Sequence, residues 1–293
     1  MGDKGLSVSR HPRSLGENRY VYAVLSRRAK GISIGINLNP DKICNFDCIY
    51  CQVDRTTPSE LREVHEAELL EELESVLTRA KDGGLYQEPR FAAVPEAKRK
   101  LSDISFAGDG EPTSYQRFRE VVSSVADLKE RLQLHGLKIA VLTNCTLLDR
   151  PAVREALAIL DRSDGEIWAK LDAGTEEYYE KVCVPGGARL AKILANILEV
   201  SRLRPVVIQS LFLALEGAGP SVEEIGEYCR RLQEIVLGGG RIKLVQIYTV
   251  ARRPAVSSVT PLTDSQVDAI AEQVRRVTGL PAESFYGSSA WQE

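Results

Sequence analysis

Ile104-Ser105-Phe106-Ala107-Gly108-Asp109-Gly110-Glu111-Pro112 is a short apolar run that breaks on a glycine-acid-glycine turn. Beyond it, Phe118, Val121, Val122, Val125, Leu128 and Leu132 recur at the spacing of a helix with one buried face. The same succession of strand, polar turn and helix returns on both sides. Upstream, residues 32–38 read as a strand, and Leu69, Leu70, Leu73, Val76 and Leu77 place a helix within 59–80 that Lys81-Asp82-Gly83-Gly84 closes. Downstream, strands are expected at 137–142, 166–171, 205–213 and 241–250, with helices at 151–160, 187–203, 221–237 and 263–277. Ser221 with Glu224, and Thr263 with Gln266, have the spacing of capping boxes, and Gly279 and Pro281 stop the last helix. Short strands alternating with helices require right-handed crossovers and a parallel sheet. Six such units predict an α/β fold, a partial (β/α)6 parallel barrel, two units short of a closed eightfold one.

Composition bounds the rest. A chain of 293 residues with 43% hydrophobic and 27% charged residues is that of a globular protein. One domain is expected, with a core at about 30–250, an N-terminal basic extension at 1–30, and a C-terminal helix and tail at 251–293. No apolar run approaches the roughly 20 residues that span a bilayer, and the polar first 13 residues have no signal-peptide pattern, so a cytoplasmic location without membrane association is expected. Three of the six cysteines crowd one loop, which is no disulfide framework and suits a reducing compartment.

That loop is Cys44-Asn45-Phe46-Asp47-Cys48-Ile49-Tyr50-Cys51, and it leaves the first expected strand. Three thiolates so close can share one inorganic centre. A structural zinc site wants four N or S ligands, and no fourth Cys or His lies near. A cubane iron-sulfur cluster with three protein thiolates keeps one iron open for a ligand that is not protein, and an open iron means chemistry. As buried core thiols they would sit on an apolar stripe, which Asn45, Asp47 and Gln52 interrupt. Cys145, Cys183 and Cys229 are widely spaced, and core thiols are the default for them. In a parallel barrel the C-terminal ends of the strands share one mouth. The cysteine loop, Gly108 to Glu111, Thr143 with Asn144, and Lys170 with Asp172 all fall at such ends. Gln209, Ser210, Gln246 and Tyr248 put polar groups inside apolar strands, as a lined cavity would. Each has a plainer reading: Asn144 as a turn cap, Lys170 as a solvated cation, Tyr248 as a core anchor.

The cysteine spacing, three residues and then two, with Tyr50 before the last thiol, resembles the signature of the radical S-adenosylmethionine (SAM) superfamily. The resemblance covers roughly residues 20–250. It implies an enzyme in which Cys44, Cys48 and Cys51 hold a 4Fe-4S cluster whose open iron chelates SAM. An electron from the cluster then cleaves SAM to methionine and a 5′-deoxyadenosyl radical, which implies an electron donor such as a flavodoxin or ferredoxin. Gly108-Asp109-Gly110-Glu111 resembles the family's Gly-Gly-Glu element, with Asp109 in place of a glycine, whose backbone oxygens accept hydrogen bonds from the SAM ammonium. Thr143, Asn144, Lys170, Asp172 and Tyr50 are then candidate cofactor-binding residues, with Asn144 for the ribose and Lys170 for the methionine carboxylate. Ser26-Arg27-Arg28 and Gly35-Ile36-Asn37-Leu38-Asn39-Pro40, followed by the cysteine loop, look like the wyosine-synthase-related Fe-S oxidoreductases, whose characterised members modify tRNA. Those have further cysteines upstream that this chain lacks, so the resemblance carries over SAM cleavage, cluster ligation and the barrel.

The substrate is read from charge. Arg10, Arg13, Arg19, Arg27, Arg28 and Lys30, together with Lys98-Arg99-Lys100, offer nine cations which, if they flank the mouth, would suit a tRNA. Alternatives are a radical SAM enzyme acting on a small molecule or peptide, a glycyl-radical-enzyme activase, and a non-catalytic iron-sulfur or zinc protein. The glycine turn favours the enzyme readings.

Overall fold

The computed structural model of the protein describes residues 15–92, 94–254 and 256–287. Arg10 and Arg13 of the basic extension lie outside the described residues, as does the end of the tail. The chain divides into two compact units, one of residues 1–43, 56–142 and 150–166, the other of 44–55, 143–149 and 167–293.

In the first unit, β1 (Val21–Ser26) turns back antiparallel onto β2 (Gly31–Ile36). α1 (Glu66–Lys81) leads through three short 3-10 turns to β3 (Leu101–Phe106), which pairs parallel with β2. α2 (Phe118–Arg131) carries the chain to β4 (Lys138–Thr143), parallel to β3, and α3 (Pro151–Leu160) follows. All six residues of β2 are buried, as expected of a parallel strand covered on both faces. Leu69, Leu73, Val76 and Leu77 of α1, and Phe118, Val121, Val122, Val125 and Leu128 of α2, form the apolar faces read from the sequence.

The second unit is built on β5 (Gly165–Lys170), α4 (Glu176–Cys183), α5 (Leu190–Leu203), β6 (Val206–Leu211), β7 (Leu213–Leu215), α6 (Val222–Leu237), β8 (Ile242–Tyr248), β9 (Val259–Pro261), α7 (Asp264–Thr278) and β10 (Ala282–Phe285). β5, β6, β8 and β10 pair parallel in that order, and β7 with β9 forms a separate antiparallel ribbon. Val182, Leu211, Leu213, Tyr248, Val250, Val259 and Phe285 form an apolar cluster on which Ile49 and Tyr50 of the cysteine loop pack.

The six expected strands are present, and among the described residues four further ones were not expected. β1 is framed by Arg19 and by Arg27-Arg28, so its charge context hid it. The two capping boxes differ: Thr263 and Gln266 make the reciprocal pair, whereas at Ser221 only half of it forms. The Glu224 carboxylate instead accepts from Gly174 N at 2.6 Å and Thr175 Oγ1 at 2.5 Å, bracing the turn after β5.

The basic run is corrected as well. Ile32 N donates to Lys100 O, and Ile32 pairs with Leu101, so Lys98, Arg99 and Lys100 stand at the N-terminal ends of β2 and β3 beside Lys30. Gly108 to Glu111 leaves the opposite end of β3, a strand length of roughly 20 Å away. The run therefore does not flank the glycine turn. Arg99 is further committed to its own loop, donating to Val94 O and Ala92 O, and Arg19 pairs with Glu68.

Candidate functional site

In the second unit the cysteine loop is pinned through its backbone. Asp47 N donates to Val184 O at 3.0 Å, Ile49 N to Val182 O at 3.1 Å, and Gly186 N to Asn45 O at 3.0 Å, while Phe46 bridges Pro185. Segment 45–49 is thus laid antiparallel along the end of α4 and the turn beyond it. Phe46 also meets Tyr179 of α4 edge to face, with ring centroids 6.0 Å apart. Cys44, Cys48 and Cys51 are half-buried thiols outside any disulfide. Arg55 Nη2 donates to Cys51 Sγ at 3.6 Å. A hydrogen bond from Cys183 holds the Cys48 thiol below its ordinary range against the opposing effect of burial, and the same bond together with burial pushes Cys183 well up.

A charged network anchors the far end of the loop. Tyr50 OH donates to Asp172 Oδ2 at 2.6 Å. Asp172 Oδ1 lies 3.0 Å from Lys170 Nζ and accepts from Leu211 N at 2.8 Å. Lys170 Nζ also donates to Tyr248 OH at 2.7 Å, and lies 4.9 Å and 5.1 Å from the ring centroids of Tyr50 and Tyr248. Burial alone would lower the Lys170 pKa, but the Asp172 carboxylate and Tyr248 outweigh it and raise it. Burial first, and Asp172 second, push Tyr50 well above its usual value, so its hydroxyl stays a donor. Lys170 is therefore no solvated cation, and its charge is spent on holding Tyr50.

The Thr143–Thr146 turn braces the start of the loop. Asn144 Nδ2 donates to Asn45 Oδ1 at 2.7 Å, Asn45 Nδ2 to Thr146 Oγ1 at 2.7 Å, and Thr146 Oγ1 to Asn144 Oδ1 at 2.7 Å. Thr143 Oγ1 accepts from Cys145 N at 3.0 Å, an arrangement that goes with the left-handed φ of +67° at Cys145. Cys145, Cys183 and Cys229 are all buried, as read from their spacing. Gln209 Nε2 donates to Gln246 Oε1 at 2.7 Å, while the buried Gln209 Oε1 accepts no hydrogen bond among the described residues. Ser210 turns away from this pair, toward Leu171 O and Tyr228 OH, and lines nothing with it.

The glycine turn belongs to the first unit, and its maker is Asn37. Asn37 Nδ2 donates to Asp109 Oδ2 at 2.7 Å, and Asn37 Oδ1 accepts from Asp109 N and Asn39 N, each at 3.1 Å. A Cβ on Gly108 would stand 2.3 Å from Asn37 Oδ1, and one on Gly110 2.2 Å from the carbonyl oxygen of Ile43, the residue before Cys44. Glycine is thus required here by the chain's own packing, apart from any ligand. The Glu111 carboxylate is turned into its loop, accepting from Thr113 N at 3.2 Å and Thr113 Oγ1 at 2.5 Å. Asn37, Asn39, Asn45, Arg55 and Cys183 were not singled out as site residues. Asn37 and Asn39 stand in the quoted motif before the cysteine loop, which was the one signal for them.

The donor set fits an iron-sulfur centre. Cys44, Cys48 and Cys51 offer three half-buried thiols on one loop, the donor type that such a centre takes. Among the described residues no group of three or more His, Cys, Asp or Glu is placed to hold a single metal ion.

Comparison with known proteins agrees with this chemistry. A family model described as Radical SAM superfamily matches residues 38–232, more than half of the chain. The protein belongs to the radical SAM superfamily, whose members are enzymes that use a 4Fe-4S cluster and SAM. Among its relatives is a UPF0026 protein of Helicobacter pylori, 28% identical over 217 residues that make up 72% of this chain and 61% of the relative. The chain thus spans about six tenths of that relative's length. Among solved structures, SuiB of Streptococcus suis bound to S-adenosylmethionine superposes with a TM-score of 0.57 at 16% identity, covering 88% of this chain and 52% of that one. TYW1 with a lysine-pyruvate adduct bound gives 0.51 at 13% identity, covering 88% and 84%. These likenesses show the fold, the partial parallel α/β barrel of the radical SAM type. The narrower wyosine-related subgroup is not carried by them. No helix among the described residues is long and apolar enough to cross a membrane.

Proposed function

We propose that Cys44, Cys48 and Cys51 hold a 4Fe-4S cluster and that the chain reductively cleaves SAM there. The observation that carries this is the pinned loop with three accessible thiols inside a radical SAM family match. When bound, the cluster supplies the electron that cleaves SAM, the electron coming from a reductant such as a flavodoxin or ferredoxin. This chain's residues do the rest. The ladder to Val182–Val184 and the Asn45–Asn144–Thr146 triangle fix the start of the loop, and Tyr50, held by Asp172 and Lys170, fixes its end. Arg55 holds the Cys51 sulfur by a hydrogen bond, and Cys183 favours a thiolate at Cys48. We assign the backbone oxygens of Gly108 to Gly110 to the SAM ammonium and keep Thr143, Asn144 and Glu111 as cofactor-binding candidates, although their mapped bonds run to the protein itself. The test is anaerobic reconstitution with iron and sulfide, followed by assay of 5′-deoxyadenosine after SAM and dithionite are added. About four irons per chain and accumulating 5′-deoxyadenosine are expected; iron uptake without SAM cleavage would overturn the catalytic reading.

For the substrate we keep a tRNA or related nucleic acid as the second reading, supported by exposed Lys30, Lys98 and Lys100, which stand together at one end of β2 and β3. Three such phosphate contacts predict a log-log salt slope of about −2 in filter binding of bulk tRNA, at about 0.7 per contact. Binding indifferent to salt and to alanine at the three lysines would leave a small molecule or peptide.

A further inference from the structure

Lys170, Gln209 and Gln246 are register partners on three neighbouring parallel strands of the second unit, β5, β6 and β8. Ser210 faces α6 through the Tyr228 hydroxyl, so by strand alternation Gln209 and its row partners lie on the opposite face of that sheet. The rows to either side, two residues or about 7 Å along the strands, carry Trp168 on β5 and Tyr248 on β8. Within the row the two amides share one bond, from Gln209 Nε2 to Gln246 Oε1 at 2.7 Å. It uses the oxygen of Gln246 and leaves Gln209 Oε1, on a side chain with no exposed surface, without a donor among the described residues. A buried carbonyl oxygen that lacks a donor costs more than one neutral hydrogen bond gains, so stability does not account for the two amides.

What such a pair binds follows from its atoms. Gln209 Oε1 calls for an N–H or O–H group, while Gln246, its oxygen spent, offers N–H. The register neighbour Lys170 already has its charge matched by Asp172, so a second cation would be repelled, and burial penalises an unpaired anion. An uncharged group with a donor beside an acceptor satisfies both amides at once, and a planar one suits the aromatic side chains of the adjoining rows. Carboxamides and lactams, the lactams of nucleobases included, have that edge. We propose that Gln209 and Gln246 are specificity-determining residues for the substrate: Gln209 Oε1 accepts from the N–H of a carboxamide or lactam, and Gln246 Nε2 donates to the oxygen of the same group. That the ligand is a substrate rests on the reading of the chain as an enzyme, but the kind of edge the pair takes does not.

The test titrates the full, iron-free chain by saturation-transfer NMR with two pairs of probes, uridine against 3-methyluridine and nicotinamide against its N,N-dimethyl amide. In each pair methylation removes the donor and keeps the ring. At least one unmethylated probe is expected to bind, uridine pointing to a lactam source and nicotinamide to a carboxamide one. Its methylated partner should bind about tenfold more weakly, the loss that goes with leaving a buried acceptor unpaired. In the double variant Gln209→Met with Gln246→Met, which nearly conserves volume, that preference should vanish while the urea midpoint stays at or above that of the parent. The methylated probes need no variant, so the proposal is tested even if the double variant does not fold. Neither unmethylated probe binding, or both members of each pair binding alike to the parent chain, would overturn it. So would a double variant that, after reconstitution with iron and sulfide, has lost affinity for SAM, because the pair would then belong to the cofactor. A tenfold preference in a chain that never cleaves SAM would uphold the site and overturn the catalytic reading instead.

Discussion

Asp103 in the first unit and Asp172 in the second are both buried carboxylates at parallel strands, and they differ in company. Asp103 accepts from Ser33 Oγ at 2.5 Å, and Ser33 in turn meets Ser105 Oγ at 2.9 Å. Burial pushes its pKa up to about 6, more than the Ser33 hydrogen bond and the more distant Lys138 and Arg28 pull it down. Asp172 has an ammonium at 3.0 Å and a phenol at 2.6 Å. At the glycine turn, likewise, the Asp109 and Glu111 carboxylates bond amide and hydroxyl groups that shape backbone. At the cysteine loop amides and a hydroxyl shape the start, but a carboxylate paired with a cation holds the end. Burial alone does not tell a shaping carboxylate from a positioning one; a cation within hydrogen-bond reach does.

The largest effect expected is on the chemical side of this contrast. Cys44→Ala, Cys48→Ala or Cys51→Ala should each reduce reconstituted iron from about four per chain to near zero, read by iron assay and visible absorbance. A Cys51→Ala chain that kept its full iron would leave the two regions differing in charge only. Next is Lys170→Met, which strands Asp172 without its cation. A loss of about 3–5 kcal/mol in urea unfolding is expected, with Asp172→Asn added to Lys170→Met recovering much of it. A loss below about 1 kcal/mol would mean that the ion pair does not hold the loop.

On the shaping side, Gly110→Ala should cost about 1–3 kcal/mol, because its Cβ would meet the Ile43 carbonyl and Asn39, neither of which is the flexible end of a long side chain. Gly83→Ala is a useful contrast: its Cβ meets nothing, and its φ of +82° alone opposes the change. Equal losses at the two sites would remove the packing argument for the glycine turn.

The six strands were legible because parallel strands covered on both faces are largely apolar, as Gly31–Ile36 is apart from Ser33. The cysteine loop was legible from spacing alone. α4 was not: it has eight residues and opens Glu176-Glu177-Tyr178-Tyr179, too short and too polar to show a helical period. Yet α4 supplies Cys183 and the ladder that sets the loop's register. Such pairing is a tertiary fact that no local pattern near Cys44 contains. Lys170 and Asp172 were found as site candidates, but their mutual ion pair, and hence their positioning role, needed the structure. The basic run misled for a related reason, since composition reports a charge without the end of the strand that carries it.

The mildest test returns to Asp103, through pH. Its folded pKa, about 6, lies above the ordinary aspartate value of 3.8, so the folded state holds the proton more tightly than the unfolded chain does. The stabilisation from this group is fully present below about pH 4 and is lost as pH rises through about 6, the reverse of a salt-bridged aspartate. Within that window the folded state binds more protons than the unfolded one, so unfolding free energy should fall by about 1 kcal/mol per pH unit on this account. Asp103→Asn keeps an acceptor for Ser33 but cannot ionise, so subtracting its urea-unfolding profile from that of the parent isolates the group from every other carboxylate. The difference should fall from pH 4 to 6 and be flat above about 7. A difference that rises over the same window would mean that Asp103 is stabilised as a carboxylate, and the distinction drawn between it and the cation-paired Asp172 would disappear.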